Sequence, residues 1–282
     1  MGIIGAILGD IAGSKYEMTP SKDDTYDLFD QYSRFTDDTV MSIATMEAMH
    51  NNKNFEEFYV KYGKKYPDAG YGSAFRAWIF VDEQLYDEEI WKKLHPDGVK
   101  LERKPYNSYG NGSAMRCSYI GEYYKKIPFA YFVRKAATKS ANVTHNHPEV
   151  VKGAVTIATC VWMAERGKSK DKILKYAISQ YPKENYKFGC ELPFNSYKNT
   201  IAPNASCMDT VPIAIRMFYE NDDFDAMCKK INSVPCDADT ICAMAGCIFD
   251  SFYKHCTNND KLILNQYLDG FLMEKMTRFK NL

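Results

Sequence analysis

Two short acidic segments, about 200 residues apart, contain the side chains that are best suited to chemistry. The first is Thr36-Asp37-Asp38-Thr39 and the second is Asp237-Ala238-Asp239-Thr240. Each leads directly into a segment of small and apolar residues that is typical of a helix. Carboxylate and hydroxyl oxygens, with no Cys or His inside either segment, suit Mg²⁺, Mn²⁺ or Ca²⁺ rather than Zn²⁺. We therefore predict one divalent-metal site that is divided between the two segments.

The alternative is that these residues only cap two helices. Ser, Thr and Asp at a helix start accept hydrogen bonds from free N–H groups and complement the helix dipole. Capping needs one such residue per helix, however, and each segment has two carboxylates and a threonine beyond any single cap. Four carboxylates at neighbouring helix starts would repel each other without a cation, so the surplus favours a metal site.

Helical periodicity dominates the chain. Between Pro148 and Arg166, apolar residues recur at intervals of three and four and lie on one face of a long amphipathic helix. Similar patterns predict helices over 39–50, 55–66, 75–80, 113–124, 129–141, 170–180, 211–220, 224–231, 240–254 and 262–276. Proline and glycine residues fall between these segments or close to their ends, as Pro212 does at the start of the segment 211–220. Sustained alternation with a period of two is absent, so we predict an all-α fold.

The domain organisation follows from what lies between the helices. No stretch has the composition of a flexible linker, which predicts a single domain over residues 1–282. The segment 82–104 is polar and weakly periodic, and we interpret it as a surface excursion. The apolar opening from Gly2 to Leu8 has no basic residues before it and soon meets Asp10, which favours a buried first helix over a signal peptide.

The overall composition excludes several classes of protein. Lys plus Arg and Asp plus Glu both number 36, so the formal net charge is zero and indicates no nucleic-acid or anionic-membrane partner. Nine cysteines at irregular spacings favour reduced thiols and a cytoplasmic protein. No apolar run approaches the ~18 residues that span a bilayer, so we expect no membrane helix.

Five segments, taken in order, resemble the signature of the ADP-ribosylglycohydrolase family, which includes the dinitrogenase reductase-activating glycohydrolase. They are Gly9-Asp10-Ile11-Ala12-Gly13 with Glu17, the segment 36–39, Tyr109-Gly110-Asn111-Gly112-Ser113-Ala114-Met115-Arg116, Thr144-His145-Asn146-His147-Pro148-Glu149, and the segment 237–240. The resemblance implies an all-α, compact orthogonal helical bundle with a central two-metal cleft. It also implies two divalent cations, Mg²⁺ or Mn²⁺, and cleavage of the glycosidic bond between ADP-ribose and a modified side chain.

The resemblance assigns the metal ligands and the catalytic acids. The expected ligands are Thr36, Asp37, Asp38, Asp237, Asp239 and Thr240. A metal pair of this kind can grip ribose hydroxyls and lower the pKa of a bound water. A carboxylate pair without metal could also stabilise an oxocarbenium-like state and activate water, so both mechanisms stay open. We expect Asp38 and Asp239 next to the reacting carbon, and Glu17 to reach the metal site or the scissile ribose.

Two further segments are expected to bind the ligand. Glycines around Asn111 and a helix start at Ser113 make backbone N–H groups available to a diphosphate. The resemblance therefore makes Asn111, Gly112 and Ser113 ADP-ribose ligands. It also implies that His145 contacts the distal ribose or a phosphate, whereas His147 and Glu149 order the next helix start. The two histidines lack the spacing of a structural zinc site.

One departure from the family pattern concerns the residues before the second acidic segment. Pro235 and Cys236 stand where family members commonly have two glycines, and this replaces backbone freedom with side chains. We predict a monomeric hydrolase that removes ADP-ribose from protein arginine, since the segments 36–39 and 144–149 look closer to the bacterial arginine-directed branch than to the serine-directed one. The alternatives are a non-catalytic ADP-ribose-binding or structural member, and a metal-dependent nucleotide phosphohydrolase.

Overall fold

The computed structural model describes residues 2–23, 25–81, 103–254 and 258–280. Its α-helices are α1 (Gly2–Gly13), α2 (Asp37–His50), α3 (Phe55–Lys65), α4 (Ser73–Phe80), α5 (Gly112–Met115), α6 (Ser118–Tyr123), α7 (Ala130–Asn142), α8 (Pro148–Glu165), α9 (Lys170–Gln180), α10 (Phe194–Tyr197), α11 (Cys207–Glu220), α12 (Phe224–Asn232), α13 (Ala238–Tyr253), α14 (Asn258–Tyr267) and α15 (Gly270–Lys280). Over these residues the only β-pairing consists of two isolated bridges. The all-α prediction is confirmed. The surface excursion predicted over 82–104 lies, except for its last two residues, outside the described residues.

Helices α1 and α13 form the centre of the fold and run antiparallel. A Cβ atom added at Gly5 would lie 2.2 Å from the Gly246 carbonyl oxygen, and one added at Gly9 would lie 2.2 Å from that of Cys242. Only glycine permits two backbones to come this close. The pairing sets the last turn of α1 beside the first turn of α13, with Gly13 against Ala238, and thereby brings two segments of the signature together.

Two predicted helices are divided in the structure. The helix predicted over 113–124 breaks after Met115, because Arg116 and Cys117 have ψ angles near zero and the Cys117 thiol donates to the Ala114 and Ala154 carbonyls. The helix predicted over 262–276 breaks at Asp269, whose carboxylate accepts from the Leu272 backbone N–H and so starts a new helix. In both cases a side chain competes with the continuing helix for backbone groups.

Helix α11 begins earlier than predicted, so Pro212, which we expected near the start of the helix as a breaker, lies inside it. It starts at Cys207 and includes Pro212, whose ring φ is compatible with a helix although its missing N–H removes one hydrogen bond. The short helix α10 was not predicted. Within the described ranges, no helix is both long and apolar enough to cross a membrane.

Candidate metal centre and cleft

The metal-site residues lie where the end of α1 meets the starts of α2 and α13. Asp10, fully buried in α1, accepts hydrogen bonds from the backbone N–H groups of Thr36 (2.9 Å) and Thr39 (3.0 Å). Its carboxylate also accepts from the hydroxyls of Thr36 (2.7 Å) and Thr39 (2.5 Å). Four donors therefore converge on Asp10, which orients the first turn of α2 toward α13.

Direct contacts join the two acidic segments. The Thr240 hydroxyl donates to Asp38 Oδ2 over 3.0 Å, across 202 positions of sequence. On the other side, the side-chain amide of Asn111 donates to Asp237 Oδ2 at 2.8 Å. The expectation that the two segments form one site therefore agrees with the geometry, and the glycine-rich segment is attached to it.

The carboxylates form two compact groups that fit divalent cations. Oxygen atoms of Asp10, Asp38 and Asp239 lie within 4.8 Å of one another, and so do those of Glu17, Asp237 and Asp239. Asp38 Oδ1 is buried without a hydrogen-bond partner among the described residues. A buried acceptor with no donor is costly unless a cation approaches it. The all-oxygen donor set matches Mg²⁺ or Mn²⁺.

The pKa values of the clustered carboxylates also favour a site for a cation. Burial, together with repulsion from neighbouring carboxylates, raises the pKa values of Asp37, Asp38 and Asp239 well above their usual range. Burial raises the pKa of Asp10 as well, although hydrogen bonds from Thr39 and Thr36 oppose the rise. In a cluster of this kind, a bound cation favours the ionised carboxylates and offsets their repulsion.

Two cavities meet at the acid cluster. The main cavity has a volume of about 310 Å³ and is lined by residues of the acid cluster, by the glycine-rich segment and by residues around Phe75, Tyr106, Arg116 and His145. The side cavity, of about 420 Å³, is lined by Arg34, Thr36 and Lys65 among others. Glu17, Asp37, Gly70 and Asp239 line both cavities. A bond cleaved at this shared wall would have one substrate portion on each side.

His145 is positioned by a chain of hydrogen bonds. A guanidinium nitrogen of Arg116 donates to the Thr144 hydroxyl (2.9 Å), and that oxygen lies 2.7 Å from His145 Nδ1. The hydroxyl has no other acceptor among the described residues, so its own hydrogen points to Nδ1 and the ring proton lies on Nε2. Burial, and secondly the charge of Arg116, lower the pKa of His145 to about 3. The ring therefore offers a neutral N–H donor to the main cavity.

Arg116 meets no carboxylate within the described chain. Its guanidinium is fully buried, donates to the Ser140 carbonyl (2.9 Å) and stacks 4.1 Å from the centre of the Tyr59 ring. The main cavity is thus lined both by the carboxylates of the acid cluster and by the guanidinium of Arg116, whose positive charge meets no carboxylate among the described residues.

The remaining candidate residues occupy different positions around the cleft. Asp37 lines both cavities but belongs to neither compact carboxylate group. Glu17 is exposed on the loop after α1 while its carboxylate reaches the cluster, where desolvation and the charge of Asp237 raise its pKa and Arg34 opposes the rise. Ser113 is fully buried, its side chain donates to the Val150 carbonyl, and it lines neither cavity, in contrast to Asn111 and Gly112.

Two neighbours of the signature have structural roles. His147 is the N-cap of α8, and its Nδ1 accepts from the Glu149 backbone N–H at 3.2 Å, as the sequence predicts. Cys236 is buried, contacts the Ile231 carbonyl and does not line the main cavity. Burial raises the pKa of its thiol, which excludes a thiolate nucleophile at neutral pH.

Sequence reasoning missed several residues that line the main cavity. Tyr106 packs 4.9 Å from the His145 ring, and the loop of Gly70 and Gly72 lies opposite the glycine-rich segment. The pair of glycines around Tyr71 was an available signal for a close backbone approach. Asp10 belongs to the first signature segment, but the sequence did not show that it accepts four hydrogen bonds from Thr36 and Thr39.

The fold and the site together define an all-α protein with a carboxylate-lined cleft suited to hydrolysis of a glycosidic bond. The family model for ADP-ribosylglycohydrolase matches residues 1–254. The chain belongs to the ADP-ribosylglycohydrolase family, and it is a hydrolase of glycosidic bonds.

Individual relatives agree with this assignment. The chain is 23% identical to the ADP-ribosyl glycohydrolase L543 of Acanthamoeba polyphaga mimivirus, over 89% of this chain and 85% of the viral protein. It is 29% identical to the human ADP-ribosylhydrolase ARH3 over 60% of this chain, but that match spans only half of the human protein. A solved structure described as an ADP-ribosylglycohydrolase-related protein complex has the same fold, with a TM-score of 0.65 and 16% identity over 99% of this chain and 94% of that one.

Proposed function

We propose that this protein is a metal-dependent hydrolase that releases ADP-ribose from a modified protein side chain, with arginine as the first acceptor to test. The observation that carries the proposal is the convergence of two carboxylate groups on Asp239, with the unsatisfied Asp38 Oδ1 beside them. Asp38, Asp237, Asp239 and Thr240 would hold the cations, with Thr36 and Asp37 at the edge of the same cluster. Two Mg²⁺ or Mn²⁺ ions would supply Lewis acidity and a more acidic bound water.

The polarity of the main cavity supports ADP-ribose as the ligand. The distal ribose fits the carboxylate end, where the hydroxyls can face the metal-holding acids. The diphosphate fits the other end, where His145 Nε2–H, the backbone of Gly112 and the field of Arg116 favour negative charge. A cavity of about 310 Å³ lies at the lower end of the range for small-molecule sites.

The chain's own carboxylates can perform the proton transfers. Asp239 lines both cavities and Asp38 lies behind it in the same carboxylate group, so one would stabilise the oxocarbenium-like state and the other would orient water. Glu17, at the shared wall, has a raised pKa and can protonate the leaving group or accept a proton from water.

The acceptor side chain would leave through the side cavity. Carboxylates of Glu17, Asp37 and Asp239 at the shared wall favour a cationic guanidinium there, which supports arginine. Arg34 and Lys65 on the outer wall oppose it, so a serine-linked substrate is the direct comparison. Neither Pro235 nor Cys236, the departures from the family pattern, lines the main cavity, which supports a catalytic member over a non-catalytic binder.

The test is an assay of ADP-ribose release from an arginine-ADP-ribosylated protein and from a serine-ADP-ribosylated peptide, with Mg²⁺, with Mn²⁺ and after chelation. We expect metal-dependent release that the Asp239→Ala variant lacks while its helical content is preserved. Release that continues unchanged after chelation would contradict metal dependence. ADP-ribose binding without turnover of either substrate would identify a binder, and release of inorganic phosphate from nucleotides would identify a phosphohydrolase.

A further inference from the structure

Exposed aromatic and basic side chains are concentrated in one part of the surface, far in sequence from the acid cluster. Five large apolar side chains, each between 37% and 65% exposed, lie at the end of α6, in the following turn and at the start of α7. With four basic residues of the same segment they form what we call the aromatic–basic surface: Tyr123, Ile127, Phe129, Tyr131 and Phe132 with Lys125, Lys126, Arg134 and Lys135. None of these residues lines either cavity of the site.

The charge of this segment is entirely positive. From Tyr123 to Pro148 the sequence has five basic residues and no Asp or Glu. The buried carboxylates of Glu122 and Glu165 pair with Lys280 and Lys254 respectively, and each also lies 3.9 Å from Lys125. Among the described residues, Lys126, Arg134 and Lys135 form no ion pair. This segment therefore has a local excess of positive charge, although the net charge of the whole chain is zero.

The turn that presents the apolar tip is held in place. Trp162 Nε1 donates to the Ile127 carbonyl at 3.0 Å, and Arg166 donates to the Lys125 carbonyl at 3.0 Å. Both donors come from the last turns of α8, which is a buried core helix. Ile127 and Phe129 are thus exposed by a backbone that the core fixes.

The chemistry of the surface distinguishes among its potential partners. A second copy of this chain would place positive charge against positive charge, which disfavours self-association. A single nucleic-acid strand needs aromatic faces that are free to stack on bases. Here the Tyr131 and Phe132 rings meet at 79°, those of Tyr123 and Tyr124 at 82°, and Tyr124 stacks with Phe132, so the rings largely pack on each other.

The geometry points to an anionic phospholipid bilayer: we propose that the aromatic–basic surface binds its headgroup region, with Ile127 and Phe129 entering between the lipids. The surface combines exposed side chains without polar atoms, exposed tyrosine rings with hydroxyls, and exposed lysine and arginine side chains. This combination matches the layers of an anionic membrane interface. The inference is independent of the hydrolase assignment.

The test uses flotation of the full chain with phosphatidylcholine vesicles that contain or lack phosphatidylserine. We expect binding to the phosphatidylserine vesicles only, decreasing with added salt. The variant Lys126→Glu/Phe129→Ser should lower the affinity by about tenfold or more. Its matched control is Lys261→Glu/Leu262→Ser on α14, which also replaces one exposed lysine and one exposed apolar residue and should bind as the wild type does.

Circular dichroism and ADP-ribose release from a soluble substrate report folding in both variants, since neither pair lines the cleft. Absence of flotation with phosphatidylserine vesicles, or equal flotation of the two variants, would overturn the proposal. Two other results would also overturn it, if the wild type does not bind vesicles. In the first, the wild type binds a single-stranded oligonucleotide and the surface variant does not. In the second, sedimentation shows a concentration-dependent dimer of the wild type that the surface variant does not form.

Discussion

At the scale of single residues, Thr144 determines how His145 faces the ligand. The Thr144→Val change keeps the side-chain shape but removes the oxygen between Arg116 and His145 Nδ1. We expect the ring proton to redistribute between the two nitrogens and the affinity for ADP-ribose to fall about five- to tenfold, which corresponds to the loss of roughly one hydrogen bond. Nitrogen-15 NMR of the ring reports the tautomer, and calorimetry reports the affinity.

The matched control for this prediction is Thr159→Val. Thr159 is also buried, and its hydroxyl donates to the Val155 carbonyl within its own helix and contacts the Tyr176 hydroxyl, far from His145 in sequence. A loss of affinity in both variants would indicate a general packing effect, and an unchanged His145 tautomer in Thr144→Val would contradict the hydrogen-bond chain.

His145 also predicts a pH dependence of stability. Its pKa of about 3 in the fold lies below the ~6.5 of an unfolded histidine, so the unfolded chain takes up a proton first as the pH falls. The stabilising contribution is complete above about pH 6.5 and decreases below it, by about 2 kcal/mol between pH 7 and pH 5. Urea unfolding should show that His145→Gln loses less stability over this interval than the wild type does. An identical loss in both proteins would contradict a neutral, buried ring.

At the scale of the elements, the close contact of α1 with α13 is what holds the site together. In Gly9→Ala the new Cβ would lie 2.2 Å from the Cys242 carbonyl oxygen, so the two helices must separate. We expect a loss of about 1 to 3 kcal/mol in unfolding free energy, with reduced hydrolysis because Asp10 moves relative to Asp239. Thermal unfolding and the release assay measure the two effects.

The control at this scale is Gly270→Ala, where an added Cβ meets no atom within 4 Å and φ is not positive. Its unfolding temperature and activity should stay close to those of the wild type. Comparable damage in both variants would show that glycine replacement itself, rather than helix contact, is responsible.

At the scale of the whole molecule, the acid cluster couples metal binding to stability. Carboxylates that repel one another in the fold destabilise it, and a cation that binds only the folded state stabilises it in proportion to its concentration. After dialysis against a chelator, we expect added Mg²⁺ or Mn²⁺ to raise the unfolding temperature. The Asp38→Asn variant should unfold at a higher temperature than the wild type without metal, and respond less to added metal.

This prediction has a clear contrary outcome. If divalent ions leave the unfolding temperature of the wild type unchanged over a wide concentration range, the carboxylates do not form a cation site.

The expectation of a monomer also concerns the whole molecule, and sedimentation in the same buffers measures the oligomeric state.

Residue types and their periodicity were sufficient to predict a metal site and an all-α fold. Ligand hardness is a property of residue types, so the two acidic segments indicated a hard cation before any geometry was known. Helix formation by amphipathic segments is mostly a local property, so most helices were predicted within a few residues. The order of five short motifs was sufficient to indicate the family.

The contacts between these parts became visible in the folded structure. It directed both threonines of the first acidic segment to Asp10, buried the Ser113 side chain against α8, turned Cys236 away from the cleft and interrupted the helix at Arg116. The structure also shows that the rings and lysines of the aromatic–basic surface are exposed. The zero net charge of the whole chain gives no sign of this local positive charge. The physical reason is that side chains and backbone groups compete for the same partners, and where a partner is distant in sequence, as Asp10 is from Thr36 and Val150 is from Ser113, local patterns do not contain it.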